Sequence, residues 1–293
     1  MPIPRGLSRS GVSVIGSGLA VPAVVYPPAR ESLPDLDLVG GSYQARFART
    51  QADLVALQRL RFQVFNLELG EGLEASFETG LDQDPFDEHC HHLMVVHRDT
   101  DIVVGTYRLQ TLDMARAGCG FYTNDEFDLS TLPDELFERS IETGRACVAA
   151  EHRNGRVITL LWKGLASYLL WNKKSVLFGC CSLTSQDPHE ARQTYDFLER
   201  GGFVHLTWHT QPRPGFVTYG PDFVPDMDVT VKLPALFASY LKLRAKITGP
   251  PAIDRAFKTI DFLTVLDTEE LEPQVKRTFF RHLDGESGHD ARA

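Results

Sequence analysis

The sequence predicts an α+β protein built on a mixed, mostly antiparallel sheet flanked by helices, and three patterns carry that prediction. Strand-like runs at residues 91–97 and 102–109 flank the tight turn Asp99-Thr100-Asp101, the signature of an antiparallel hairpin. Helix-period stretches are interleaved with such runs in one continuous series. A strand at residues 140–148 enters a long apolar helix, residues 157–171, through a short basic turn containing Gly155, and an apolar strand follows at residues 175–182.

The remaining elements follow in order. Residues 1–40, rich in Pro, Gly and Ser, read as a flexible N-terminal tail. Arg5 and Arg9 precede an apolar stretch that loosely imitates a signal peptide, but Gly, Ser and Pro interrupt it. Residues 51–65 place Leu54, Leu57, Leu60, Val64 and Phe65 at helical spacing, with Arg59 and Arg61 on other faces. An acidic loop, residues 68–88, leads into the hairpin, and residues 119–139 carry weak periodicity broken at Pro133. Past the apolar strand, Pro188 starts a helix to Glu199, Gly201-Gly202 stops it, and residues 203–208 read as a strand. Residues 233–247 read as an amphipathic helix, residues 262–266 as a last strand, and residues 271–293 as a C-terminal tail.

Composition narrows the function. With 43% hydrophobic and 24% charged residues among 293, the chain can bury one large core or two modest ones. A net charge of -9 argues against a nucleic-acid partner, since phosphate binding needs a surplus of Lys and Arg. Five cysteines, an odd number set largely in apolar runs, suit a reducing, cytoplasmic compartment. No run approaches the roughly 20 apolar residues a spanning helix needs, which leaves peripheral contact at the inner membrane face as the membrane role. That contact would use residues 233–247, where Lys242, Arg244 and Lys246 end an apolar face; the alternative is a helix packed on the sheet.

The turn Arg153-Asn154-Gly155-Arg156 has a physical reason to hold a phosphate, because amides at a helix start point outward and Gly allows close approach. The alternative is an ordinary turn capped by Asn154. His89, Cys90, His91 and His92 match no standard zinc spacing and alternate across a strand, so no metal is expected. No Gly-x-Ser-x-Gly elbow occurs, which sets serine-hydrolase chemistry aside. Cys180-Cys181 reads as sheet packing, with an acyl-cysteine route as the minor alternative.

An ordered series of motifs resembles the ornithine lipid N-acyltransferase family, often labelled hemolysin-like. It comprises Phe86-Asp87 before His92-Leu-Met-Val-Val96, Val104-Gly-Thr-Tyr-Arg-Leu109, Glu142-Thr-Gly-Arg-Ala-Cys-Val148, Asn154-Gly-Arg-Val157, Leu177-Phe-Gly-Cys-Cys-Ser-Leu183, Pro251-Ala-Ile-Asp-Arg255 and Asp261-Phe-Leu263. The resemblance spans about residues 43–267, and a more distant one reaches acyl-homoserine-lactone synthases.

It implies a GNAT-like domain over residues 41–270, acyl carrier protein as partner and its acyl-phosphopantetheine as co-substrate, with no resident cofactor. The implied reaction acylates the α-amine of a small amino acid, ornithine first, with glycine or serine and a lactone-type signal synthase as alternatives. A membrane-active or acyl-binding protein is the non-enzymatic alternative. The superfamily's pyrophosphate loop reads Arg or Gln, two residues, Gly, one residue, Gly or Ala; here only Gly155 fills it, which suits a donor carrying one phosphate. Lys173 and Lys174 join Arg153 and Arg156 in the expected carrier-docking patch.

Under this resemblance Glu142 is the first candidate for general base or amine-orienting group, against an ion pair with Arg145 or Arg108. Its replacement by Gln is expected to keep the fold and lose most of the rate. Asp87 is the second catalytic candidate, offering a negative end to the substrate ammonium, against a solvated loop acid. Arg61, Arg108 and Arg145 are the candidates for gripping the substrate carboxylate, against roles in the fold.

Overall fold

The computed structural model describes residues 26–225 and 231–280, so expectations on residues 1–25 and 281–293 lie outside the described residues. The strands are β1 (Leu38–Gly40), β2 (Tyr43–Phe47), β3 (His91–His97), β4 (Ile102–Thr111), β5 (Ser140–Val148), β6 (Val176–Leu183), β7 (Lys246–Ile247), β8 (Ala252–Asp254) and β9 (Thr259–Asp267). The helices are α1 (Gln51–Phe62), α2 (Ser76–Thr79), α3 (Leu112–Ala117), α4 (Thr123–Glu126), α5 (Asp134–Glu138), α6 (Arg156–Trp171), α7 (Pro188–Arg200), α8 (Ala235–Lys242) and α9 (Pro273–Phe280). The sheet runs β1-β2-β3-β4-β5-β6-β9-β7, with β8 also on β9. All its pairs are antiparallel except β5 with β6, which α6 connects as a crossover.

Local chemistry fixes the ends of the helices that matter. A reciprocal capping box starts α1: Thr50 Oγ1 accepts the Asp53 amide at 3.1 Å and Asp53 Oδ2 accepts the Thr50 amide at 3.0 Å. On one face of the sheet, Leu160, Leu161, Leu165, Tyr168 and Leu169 of α6 pack on Leu93, Val95, Val104, Tyr107, Leu109 and Ile141. Each such buried side chain contributes on the order of 1.5–3 kcal/mol, which anchors β3, β4 and β5 to one helix. The opposite face packs on α1 around Leu54, Leu57 and Met94, and on the α3–α5 segment around Phe121, Phe127, Phe137 and Phe178.

Four sequence expectations need correction. The N-terminal tail stops short of residue 40: Tyr26 and Leu33 are buried, Trp171 Nε1 donates to Glu31 O, and Leu38–Gly40 pairs with β2. The C-terminal tail likewise begins as α9, whose Phe279 ring packs edge-on against Trp162. Residues 203–208 form no strand beyond a Val204–Ile247 bridge, because His205 Nδ1 accepts the Thr207 and Trp208 amides and curls the chain. Finally, the helix expected over residues 233–247 ends at Lys242, where Arg244 adopts a left-handed φ of 69° and the chain turns into β7. Its apolar side, Phe237 and Leu241, is buried against β6 and β9, while Arg244 pairs with Glu272 and Lys246 donates to Gly202 O. Arg244 and Lys246 are thus held by protein partners.

Candidate active site

β5 and β6 pair only over Ser140–Glu142 with Val176–Phe178, then diverge. The divergence is built into the backbone at two points. At Gly179, with φ of 157°, a Cβ would lie 2.1 Å from Thr143 O, so only glycine lets β6 pass this close. Opposite Tyr107, β5 inserts an extra residue, and Arg145 takes a left-handed φ of 49°. The wedge between the strands leaves residues 143–146 of β5 half-buried along a cavity of about 300 Å³, the lower end of the usual ligand-pocket range.

The cavity has two kinds of wall. Tyr107, Leu165, Leu177, Leu236, Phe237 and Tyr240 supply an apolar wall, with the Tyr107 and Tyr240 hydroxyls bonded to each other. Gln110, Tyr122, Glu142, Arg145, Glu71 and Asp261 supply a polar one.

Glu142 stands at the closed end of the wedge, where it fastens the start of α4. Its Oε1 accepts from Thr123 N at 2.8 Å and Thr123 Oγ1 at 2.7 Å, and its Oε2 from Tyr122 N at 3.0 Å. Burial raises its pKa above the ordinary value, against the lowering effect of those bonds and of Arg108. The alternative ion pairs with Arg108 and Arg145 are not its hydrogen-bond partners. Both arginines bind aspartates.

Asp87, Arg61, Arg108 and Arg145 do come together, yet as one another's partners. Arg61 binds Asp82 Oδ2 through Nε at 2.6 Å and Asp87 Oδ1 through Nη1 at 2.8 Å. Arg108 Nη1 reaches Asp84 at 2.6 Å and Asp87 at 3.1 Å, and Arg145 Nη2 reaches Asp84 at 3.0 Å. Three guanidinium groups are thereby matched by three carboxylates. Burial opposes ionisation of Asp87, but Arg61 and Arg108 outweigh it and hold its carboxyl well below the usual range. Arg61, 0% exposed, and Asp87, 1% exposed, do not line the cavity and bind each other behind it. Of the three arginines, Arg108 and Arg145 remain on the wall, with Arg145 sandwiched between the rings of Tyr122 and Phe257.

The basic turn sits where β5 leaves the open side of the wedge. Arg153 is clamped to both oxygens of Glu68, at 2.6 and 2.8 Å, and to Val148 O. Asn154 Oδ1 accepts the Arg156 amide at 3.1 Å, and Gly155 at φ 81° stands at the start of α6 with no side-chain cap. Lys173 and Lys174 lie past the far end of α6, about 24 Å from Arg156 by helical rise, and cannot share a patch with it. The histidines are internal partners: His91 contacts Tyr168 Oη and Pro28 O, and His92 contacts Asp87 O.

Sequence reasoning missed the acidic end of the cavity. Asp261 receives hydrogen bonds from Ser182 Oγ and Thr259 Oγ1, and Glu71 from Thr184 Oγ1. Behind Asp261, carboxylate oxygens of Glu126 and Asp254 lie with its own within 4.8 Å of one another. Asp261 is pushed up to about 6, by burial first and by Asp254 beside it. Two polar residues two positions apart at the start of a largely apolar strand, Thr259 and Asp261, were the available signal. Gln110 was missed as well: it is 1% exposed, lines the cavity, and neither of its amide atoms has a hydrogen-bond partner.

Comparison with known proteins places the chain. The family model for the acetyltransferase (GNAT) domain matches residues 60–163. An L-ornithine N(alpha)-acyltransferase of Brucella abortus is 33% identical over 79% of this chain and 86% of the relative. One from Agrobacterium fabrum is 30% identical over 85% of this chain and 89% of the relative. Among solved structures, the AHL synthase LasI aligns over 83% of this chain and 96% of its own, with 11% identity and a TM-score of 0.43. The β5–β6 wedge therefore lies in an N-acyltransferase with a GNAT-like fold, and the chain belongs to the L-ornithine N(alpha)-acyltransferase family.

Proposed function

We propose that this protein transfers a fatty acyl group, 3-hydroxylated or plain, from acyl carrier protein to the α-amine of L-ornithine, for the synthesis of an amino-acid-containing lipid in the cytoplasm. The observation that carries the reading is the wedge itself, an opening between β5 and β6 with one apolar wall and one wall of carboxylates. An acyl chain suits the first and a cationic amino acid the second. From Glu142 to Val148 the strand spans about 20 Å, a stretch for a phosphopantetheine arm to run along, and the start of α6 at Arg156 is the proposed end for its phosphate.

The chemistry needs a neutral amine and a polarised thioester. A carboxylate offers about four acceptor positions, and Glu142 uses three of them on α4, which leaves one for the incoming amine. Its raised pKa favours proton uptake. The nitrogen lone pair forms the C–N bond, the oxyanion collapses with loss of the C–S bond, and the nitrogen's proton passes to Glu142. Tyr107 and Tyr240, whose burial keeps them protonated, offer O–H groups on the apolar wall to hydrogen-bond the departing thiolate, which takes up the proton released through Glu142. Gln110 supplies an amide with no other partner to face the thioester carbonyl. Arg108 and Arg145 are the cations on the wall, each paired with aspartates behind it, and are the candidates to meet the acceptor carboxylate.

The test is a donor and acceptor panel: purified protein, long-chain acyl carrier protein against the matching acyl-coenzyme A, and ornithine, glycine and serine as acceptors, with products read by mass. The reading expects N-acylornithine from the carrier-bound donor, with a Michaelis constant for the carrier that rises in Arg156→Glu in a salt-sensitive way. Equal use of the coenzyme A thioester would remove the carrier from the account. No acylation of ornithine would remove the acceptor.

A further inference from the structure

Building on that reading, we propose that Asp261 and Glu71, backed by Glu126 and Asp254, receive the side-chain ammonium of a diamino-acid acceptor and so set acceptor specificity. The argument begins with a charge imbalance. In the neighbouring cluster Asp82, Asp84 and Asp87 meet Arg61, Arg108 and Arg145 one for one, but this end of the cavity gathers four carboxylates. The nearest cation, Arg145, is committed to Asp82 and Asp84. Burying carboxylates among themselves is unfavourable unless a cation or protons join them. Glu126 is 1% exposed, its Oε1 has no hydrogen-bond partner, and one of its carboxylate oxygens lies within 4.8 Å of oxygens of Asp254 and Asp261. Burial and the neighbouring carboxylates raise the pKa of Glu126 and Asp261, as expected of a site that waits for positive charge.

Position supplies the second half of the argument. Tyr122 joins the two ends of the polar wall: its amide donates to Glu142 and its hydroxyl to Asp254 Oδ2 at 3.2 Å. Thr123, bound to Glu142, and Glu126, in the carboxylate group, are three residues apart on α4, about 5–6 Å between Cβ atoms. One helical turn thus separates the proposed proton acceptor from the carboxylates, a reach comparable to that between the two amines of a diamino acid with a three-carbon side chain. Asp261 lies on the same sheet face, since β6 pairs Glu142 with Phe178 and Asp261 with Ser182, four residues along.

The experiment compares L-ornithine with L-norvaline, which has the same carbon chain without the terminal amine, in the full-length protein and in Asp261→Asn and Glu71→Gln. The kcat/KM ratio of ornithine to norvaline is expected to favour ornithine in the native protein and to fall about 30-fold or more in Asp261→Asn, the size of a lost charge-assisted contact. The loss should lie in KM more than in kcat. Glu71→Gln, on the cavity wall, should shift the ratio in the same direction and serves if Asp261→Asn does not fold. An unchanged ratio in a folded variant overturns the proposal, as does a native enzyme that takes norvaline as readily as ornithine. A rise in the thermal midpoint on adding Ca²⁺ or Mn²⁺ that Asp261→Asn abolishes would assign the carboxylates to a metal instead. Failure of the native protein to acylate any amino acid would count against the functional reading itself.

Discussion

Replacing Glu142 with Gln separates anchoring from catalysis, because the carboxylate makes three bonds to α4 and the amide can make only two. The Gln oxygen keeps Thr123 N and Thr123 Oγ1, now as neutral bonds, and its NH₂ group faces the Tyr122 amide donor. A buried N–H left unpaired costs about 1–3 kcal/mol and each weakened bond up to about 1 more, so roughly 2–4 kcal/mol is lost in all. For a chain of this size that is a midpoint about 5–15 °C lower, which revises the expectation of an unperturbed fold. The rate should fall by about 10²–10⁴-fold at a temperature where the variant is still folded. Thr123→Val is the control: it removes one bond, costs about 1–2 kcal/mol, and keeps the proton acceptor, so its turnover should stay close to native. Midpoints come from thermal denaturation and rates from product mass. A folded Glu142→Gln with near-native turnover would refute the base assignment and leave the residue as an anchor of α4.

Other consequences follow from the same geometry. Arg61→Met strands Asp82 and Asp87 in the interior, and removing one partner of a buried ion pair costs about 3–5 kcal/mol; an unchanged midpoint would show that Arg108 and Arg145 suffice. The pH response of Asp261 has a defined sign. Its folded-state pKa of about 6 lies above the model-peptide value near 3.9, so between those values the unfolded chain releases a proton that the folded protein keeps. Stability of the free protein therefore falls as pH rises through that window. A cationic acceptor favours the ionised form, so ornithine affinity measured by calorimetry should strengthen by up to about tenfold per unit on approach to pH 6 and level off above it, while norvaline affinity should not. Flat behaviour for ornithine would contradict the placement of its ammonium. Phe237→Ala should cost about 3–5 kcal/mol, because α8 packs on the sheet. A small cost together with lost binding to anionic vesicles would return α8 to the membrane surface.

Most of the frame was legible because it rests on local signals. The apolar run and tight turn at His91–Asp101 and the strand, turn and helix around Gly155 fix β3, β5 and α6 within a residue or two. What escaped was decided at long range. Residues 203–208 have strand composition, yet side-chain acceptance by His205 Nδ1 turns them. Arg61 reads as a surface residue of α1, and only the folded acidic loop, with Asp82 and Asp87, shows it to be interior. The same holds at the site. Glu142 was visible from its strand and motif, but Glu126, Asp254 and Asp261 lie 135 residues apart at the extremes (261 − 126), and no spacing rule brings them together. The acidic loop also hid its partners: a run of Asp and Glu looks solvated until its arginines are placed.

The central claim, that the β5–β6 wedge brings a carrier-bound thioester to the α-amine of ornithine, is tested most directly by tandem mass spectrometry of the product formed from acyl carrier protein and L-ornithine. With Glu142 at the amine and the carboxylates around Asp261 at the side chain, the acyl group is predicted on the α-nitrogen alone. An acyl group on the δ-nitrogen would contradict this orientation, and no N-acylated product would contradict the assignment of the wedge as the active site.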